Sequence, residues 1–332
     1  MKQLVKSLTE KFAPSGFESP VREFIEAETK GLFDEMRVDA LGNLILLKKA
    51  AKGAGQPKKI MVAAHMDEIG VIATHIEKDG FVRFAPIGGV YPRNLPGSRV
   101  RFVNGTRGVI GVEEMKPGDA VSIEKCYIDV GVLSDAGHPV CIGDVAGFDR
   151  EFSEVGGKWV AKAMDDRIGV AIAIQVMRAV KDSANDIYFV FTTQEEVGTR
   201  GAETSAYSVD PDLGIALDVT GWGDTPNQKG LSIKLGAGPA IKIKDAGMIS
   251  DPRVVKWMIS AAEAEEMPYQ REVLLGGTTD ARAIQLARSG VPVGVVSIPC
   301  RYVHSASEMI DPIDVENAVK LVTRLVSLPV HL

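Results

Sequence analysis

Residues 187–198 read Ile187-Tyr188-Phe189-Val190-Phe191-Thr192-Thr193-Gln194-Glu195-Glu196-Val197-Gly198. The apolar run from Ile187 to Phe191 has the length and texture of a buried strand. In open α/β sheets, ligands sit in the crevice beyond the carboxyl ends of the strands, so the adjacent carboxylates Glu195 and Glu196 are placed where a site would be. Taken alone, a solvated pair capping the next turn explains them equally well.

The same pattern recurs on either side. Ile60-Met61-Val62-Ala63-Ala64 is a short apolar strand ending at His65, and Leu213 to Leu217 ends at Asp218. Val291 to Ile298 leads through Pro299-Cys300-Arg301-Tyr302-Val303 to His304. Between these runs lie helical spacings: Leu4, Val5, Leu8 and Phe12; then Asp165 to Val180, with Ile168, Ala171, Ile172 and Val176 on one stripe. A helix can start at Ser19 with Pro20 in its first position. Asp251-Pro252 and Asp311-Pro312 repeat the device before Val254–Glu265 and Val315–Leu328. Leu41-Gly42-Asn43 reads as a turn between two strands, the second from Leu44 to Leu47. Alternating strands and helices define an α/β fold.

From about Glu68 to about Val160 the texture changes. Short alternating segments are punctuated by Asp79-Gly80 and Asn104-Gly105, strong hairpin signals, with further breaks at Gly88-Gly89 and Gly156-Gly157. No amphipathic helix is visible there. The expected organisation is an α/β domain in two pieces, 1–67 and 161–332, with a small all-β domain, barrel-like, sandwich-like or PDZ-like, inserted as residues 68–160.

A chain of 332 residues, 45% hydrophobic, can bury a large core and suits two domains better than one. Lys+Arg 38 against Asp+Glu 44 gives 38 − 44 = −6, and basic residues form no patch, which argues against a nucleic-acid partner. Cys126, Cys141 and Cys300 are odd in number and lack CxxC spacing, as expected of free thiols in a reducing compartment. No apolar stretch follows Met1-Lys2-Gln3-Leu4-Val5-Lys6 and no run approaches a membrane span, so a cytoplasmic, soluble protein is expected.

If the strands lie parallel, their ends deliver His65, Glu195, Glu196, Asp218 and His304 to one rim, with Asp165 opening a helix beside them. Two imidazoles with three or more carboxylates suit a divalent cation such as zinc or cobalt. Each residue has a plainer explanation: His65 as a satisfied core histidine, His304 as a surface loop histidine, Asp165 and Asp166 as helix-start charges, a role that suits Asp166 best. Asp67, two residues beyond His65 and facing the same way in extended chain, suits a carboxylate that orients the imidazole. His75, His138 and His331 lack carboxylate company and read as structural or exposed. Adjacent glutamates cannot easily ligate one ion together. One is expected to ligate and the other to carry the proton, their order left open by the residues alone.

His65-Met66-Asp67-Glu68-Ile69-Gly70, Ala163-Met164-Asp165-Asp166-Arg167, Glu195-Glu196-Val197-Gly198, Ala216-Leu217-Asp218-Val219-Thr220 and Pro299-Cys300-Arg301-Tyr302-Val303-His304-Ser305 together resemble the motifs of the cocatalytic dimetal aminopeptidases. That branch includes the tetrahedral (TET), deblocking and glutamyl aminopeptidases, and the likeness runs from the first helices to the last. It implies a zinc-peptidase-like mixed sheet flanked by helices. It also implies two divalent ions per subunit, Zn2+ with Co2+ or Mn2+ as alternatives, activating a shared water. By this resemblance His65 and Asp218 hold one ion, Glu196 and His304 the other, and Asp165 bridges them. Glu195 becomes the general base and Asp67 the partner of His65, and the Asp165–Asp166 peptide is a candidate for the cis form. The implied substrate is a peptide with a free N-terminus, and the implied assembly is homo-oligomeric, from dimer to dodecamer, through the β insert.

The loops Gly221-Trp222-Gly223 and Gly276 to Asp280 are candidates for the substrate pocket, with Gly277, Thr279 and Asp280 as substrate-binding residues and Trp222 read as packing. Thr278 stands where relatives usually carry a third glycine, and the stretch from Val112 to Lys125 is shorter than in relatives. Among rivals, a glycoside hydrolase (cellulase-type) needs carboxyls about 5 to 9.5 Å apart across a sugar and leaves both histidines idle. A non-catalytic metal-binding scaffold would have no use for Glu195. A deacylase, desuccinylase or carboxypeptidase with the same dimetal chemistry is the nearest competitor.

Overall fold

The computed structural model describes residues 1–332 except Ala54, Lys229 and His331; the histidine at 331, read above as structural or exposed, lies outside the described residues. Strands number β1 (Glu35–Val38), β2 (Leu44–Lys48), β3 (Lys59–His65), β4 (Gly70–Ile76), β5 (Val82–Ile87), β6 (Arg99–Phe102), β7 (Arg107–Val112), β8 (Cys126–Asp129) and β9 (Val145–Phe148). They continue as β10 (Ser153–Val155), β11 (Lys158–Ala161), β12 (Asp186–Thr192), β13 (Leu213–Thr220), β14 (Ala240–Lys244), β15 (Gln270–Val273), β16 (Val293–Arg301) and β17 (Glu308–Ile310). The helices are α1 (Lys2–Thr9), α2 (Ser19–Glu28), α3 (Met164–Ala179), α4 (Arg200–Val209), α5 (Pro252–Ala264), α6 (Asp280–Gln285) and α7 (Pro312–Ser327).

Among the described residues an eleven-stranded mixed sheet runs β1-β2-β12-β3-β13-β16-β17-β11-β10, with β14 on β16 and β15 on β14. Its centre, β12, β3, β13 and β16, is parallel. Alternate side chains feed opposite faces: Ile60, Val62 and Ala64 join the core under α1, α2, α3, α5 and α7, while Met61 and Ala63 join a smaller core under α4 and α6. This two-sided burial explains why the central strands read as continuous apolar runs. Phe189 and Phe191 are fully buried, and removing such a side chain from water contributes about 1.5–3 kcal/mol.

Register brings the strand ends level. Thr192 lies opposite His65, Ala216 opposite Ala63, and Asp218 opposite Ser297. Asp218 does not terminate its strand, as the sequence suggested; pairing of Val219 and Thr220 with Ile298 and Pro299 extends β13 beyond it. Asp251 and Asp311 cap their helices, accepting from Arg253 N and Ile313 N, whereas α2 has its proline but no side-chain cap.

Strands β4 to β9 close into a separate antiparallel barrel in the order β4-β5-β8-β7-β6-β9, its interior filled by Val71, Phe84, Val100, Phe102, Ile110 and Ile128. Closure leaves no free edge. The Asp79-Gly80 and Asn104-Gly105 turns join β4 to β5 and β6 to β7, with the glycines at φ 83° and 90°. β10 and β11 lie outside the barrel, with β11 paired to β17 in the large sheet. No helix among the described residues is long and apolar enough to cross a membrane.

Candidate active site

The parallel strands and their following loops converge on a cleft of about 560 Å3, lined by Asp165, Glu195, Glu196, Asp218 and His304 among others. Among the described residues, two groups of potential ligand atoms each lie within 4.8 Å of one another: His65, Asp165 and Asp218, all buried, and Asp165, Glu196 and His304, closer to the surface. Asp165 belongs to both. Its Oδ1 lies 3.0 Å from His65 Nε2 and its Oδ2 lies 3.2 Å from His304 Nε2, while His304 Nε2 is also 3.3 Å from Glu196 Oε2.

Each imidazole is oriented from behind. His304 Nδ1 sits 2.9 Å from the carbonyl oxygen of Gly89; a carbonyl can only accept, so Nδ1 carries a proton and Nε2 is the nitrogen turned to the cleft. His65 Nδ1 likewise faces the Asp67 backbone oxygen at 3.2 Å and Asp67 Oδ1 at 3.5 Å. Asp67 does more than the sequence suggested. Its two carboxylate oxygens accept from Glu195 N at 3.0 Å and Glu196 N at 3.1 Å, so one buried side chain fixes both the histidine and the glutamate pair. Ser15 Oγ donates to it at 2.6 Å.

The electrostatics are those of a crowded acidic cluster. Burial, then the charge of Asp165, holds the Asp218 carboxyl well above the usual carboxylate range. Burial raises Glu195 strongly, an effect that His65 opposes and that Asp218, Asp280 and Glu196 reinforce. Burial also raises Glu196, against its hydrogen bond to His304. Burial lowers His304, but hydrogen bonds to Asp165 and Glu196 outweigh it and push the imidazole up to about 12. Such a cluster favours a cation, which relieves like-charge repulsion without protons. Glu196 Oε1 is buried and lacks a hydrogen-bond partner, which leaves a lone pair for one. The donor set therefore fits divalent metal ions.

Asp166 stays out of both groups; its carboxylate accepts from His65 N and Gly169 N, the helix-start role expected of it. The Asp165–Asp166 peptide is cis. Of the expected substrate residues, Gly277 lines the cleft, whereas Thr279 caps α6 and Asp280 is buried against Thr192 Oγ1. Trp222 lines the cleft as well as packing edge-on against Tyr302. Neither His75 nor His138 joins a potential ligand group among the described residues.

Four participants carry no sign of this role in the sequence. Gly89, from the barrel, approaches His304 so closely that a Cβ there would lie 2.4 Å from Nδ1. Tyr91 and Arg93 of the same loop line the cleft. Glu308, 2% exposed, accepts from Asp165 N at 3.1 Å and His304 N at 2.8 Å, and burial raises its carboxyl to about 8. The segment Glu308-Met309-Ile310 is too short to show the alternation that marks a strand.

A mixed sheet whose parallel central strands and following loops present overlapping histidine–carboxylate groups to one cleft is the plan of an α/β metallopeptidase. The chain belongs to the M42 glutamyl aminopeptidase family, whose profile matches residues 42–321, and it is a hydrolase of peptide bonds. It is 36% identical to the lysyl aminopeptidase of Pyrococcus furiosus over 97% of this chain and 96% of that one. Among solved structures it resembles an aminopeptidase of the archaeon Desulfurococcus kamchatkensis (TM-score 0.92, 41% identity, 98% of this chain and 94% of that one). It also resembles the TET1 peptidase of Pyrococcus horikoshii, which can assemble into a tetrahedron or a large octahedral shell (TM-score 0.87, 32% identity, 98% of each chain).

Proposed function

We propose that the chain is a dimetal aminopeptidase that releases the N-terminal residue of peptides. The observation that carries this reading is the split of Asp165, one oxygen toward His65 and the other toward His304. His65 and Asp218 would hold one ion, Glu196 and His304 the other, and Asp165 both. Two such ions, zinc by the donor set with cobalt or manganese as alternatives, would supply Lewis acidity that lowers the pKa of a water from 15.7 toward about 7 and polarises the scissile carbonyl.

Glu195 is the general base. It reaches the same space, with Oε2 4.0 Å from His65 Nε2, and it is spared ligation because Asp67 fixes its backbone and that of Glu196 side by side. Burial keeps its carboxylate basic enough to take a proton from the attacking water and return it to the departing amine. Gly277 borders the substrate directly, while Thr279 and Asp280 shape that loop from beneath, through the α6 cap and through Thr192.

The test is Glu195→Gln on an aminoacyl anilide. We expect it to keep its ions and lose roughly 10²- to 10⁴-fold in turnover. Chelation should silence the wild type and Co2+ should restore it, and N-acetylation of the anilide should abolish cleavage. A folded, ion-loaded Glu195→Gln with wild-type turnover would remove Glu195 from the base role; activity that survives exhaustive chelation would remove the metals.

The division into 1–67 with 161–332 and an insert of 68–160 is part of this proposal, with the barrel of the insert, β4 to β9, as the assembly module, while β10 and β11 at its end join the large sheet. The strongly exposed Leu133 and Ile142 and the assembly of the Pyrococcus horikoshii relative support it. Light scattering should find an oligomer; a monomer at every concentration would refute that role. The free cysteines support placement in the cytoplasm.

A further inference from the structure

Glu308 is absent from the ligand set and from the proton path, yet it touches the backbone of two ligands that are far apart in the chain. It lies in β17, the strand held between β16 and β11. β16 ends at Arg301, just before the His304 loop, and β11 ends at Ala161, just before Asp165. Its own backbone is paired with Ala161 in the sheet. The side chain is thus carried on a rigid element between the two loops it serves.

We propose that Glu308 is a positioning residue for the outer ion, clamping the bridging ligand Asp165 and the loop ligand His304 at a fixed separation. Oε2 accepts from Asp165 N at 3.1 Å and Oε1 accepts from His304 N at 2.8 Å. His304 is a non-glycine residue at φ 60°, a conformation that persists only when its surroundings hold it. The two N–H groups meet different oxygens of the one side chain, so both of its terminal atoms must accept. A glutamine has one such acceptor, and its amide would turn an N–H toward an N–H. Placing another carboxylate beside an acidic cluster is electrostatically unfavourable, so packing alone does not account for the residue. The inner group gains less from the clamp, because His65 and Asp218 sit on β3 and β13 and are fixed by the sheet. This inference rests on the two-ion reading above.

Co2+ titration of the whole protein separates the possibilities, read by visible absorption and by ions retained after gel filtration. In Glu308→Gln we expect the first ion to bind within about threefold of wild type and the second to be weakened roughly 10–100-fold, the range seen when a residue that orients a metal's ligand is lost. Glu308→Asp, with its shorter reach, should fall between. Equal weakening of both ions, or a second ion held as in wild type, overturns the assignment. Thermal unfolding of the ion-free proteins identifies a folding defect, and if Glu308→Gln does not fold, Glu308→Asp is judged by the same criteria. A wild-type protein that takes up only one Co2+ would instead overturn the two-ion reading itself.

Discussion

The two groups that meet at Asp165 use the same chemistry on different supports. The inner one, His65, Asp165 and Asp218, draws on β3 and β13, and its histidine side chain is 2% exposed. The outer one, Asp165, Glu196 and His304, draws on loops beyond the strand ends, and its histidine is 22% exposed. The inner imidazole is oriented by Asp67, two residues away; the outer one is oriented by Gly89 of the barrel, 215 residues away. Ligands on sheet strands inherit the precision of the sheet, whereas ligands on loops need outside props. Two ions in one site are therefore expected to be held unequally.

Asp165→Ala is the most severe test of this inequality, because it removes the one ligand common to both groups. Both ions and essentially all turnover should be lost, by plasma emission and anilide assay; retention of either ion at wild-type affinity would mean that the groups are independent. A milder test leaves the sequence alone. Graded chelation should strip the outer ion first, leaving a species with one ion per chain, and Gly89→Ala should widen the gap by pressing its methyl on His304 Nδ1, where the space is 2.4 Å. An outer ion weakened roughly tenfold or more is expected of such interference with a ligand's orienting contact. Simultaneous loss of both ions at every chelator concentration would show the inequality to be absent.

The candidate ligands of both halves were legible in the sequence, whereas the groups that orient the outer ones were not. The buried strands advertised themselves as apolar runs, and the residues at or near their ends needed only a parallel sheet to converge. Parallel pairing in register, with Thr192 opposite His65, supplied it. Hairpin glycines at 80 and 105 located the barrel for the same local reason. Asp67 was legible because its partner is nearby, but its grip on Glu195 N and Glu196 N was not, since a backbone N–H carries no residue identity. Glu308 and Gly89 escaped for that same reason. Their contacts are with main-chain groups or through a carbonyl, across 143 and 215 residues, and no spacing rule reports them. The placement of Asp280 behind Thr192 was missed because a polar loop residue gives no sign of which way it faces.

The contact between Gly89 and His304 also bears on the order in which the molecule is put together. Closing a contact across so long a stretch of chain requires both partners to be already docked, and entropy delays such closures. His65, Asp165 and Asp218 approach one another directly, without a barrel residue between them. The outer half is complete only where the barrel loop meets the loop after β16, so the orienting contact of His304 requires the barrel and the C-terminal strands to be docked together.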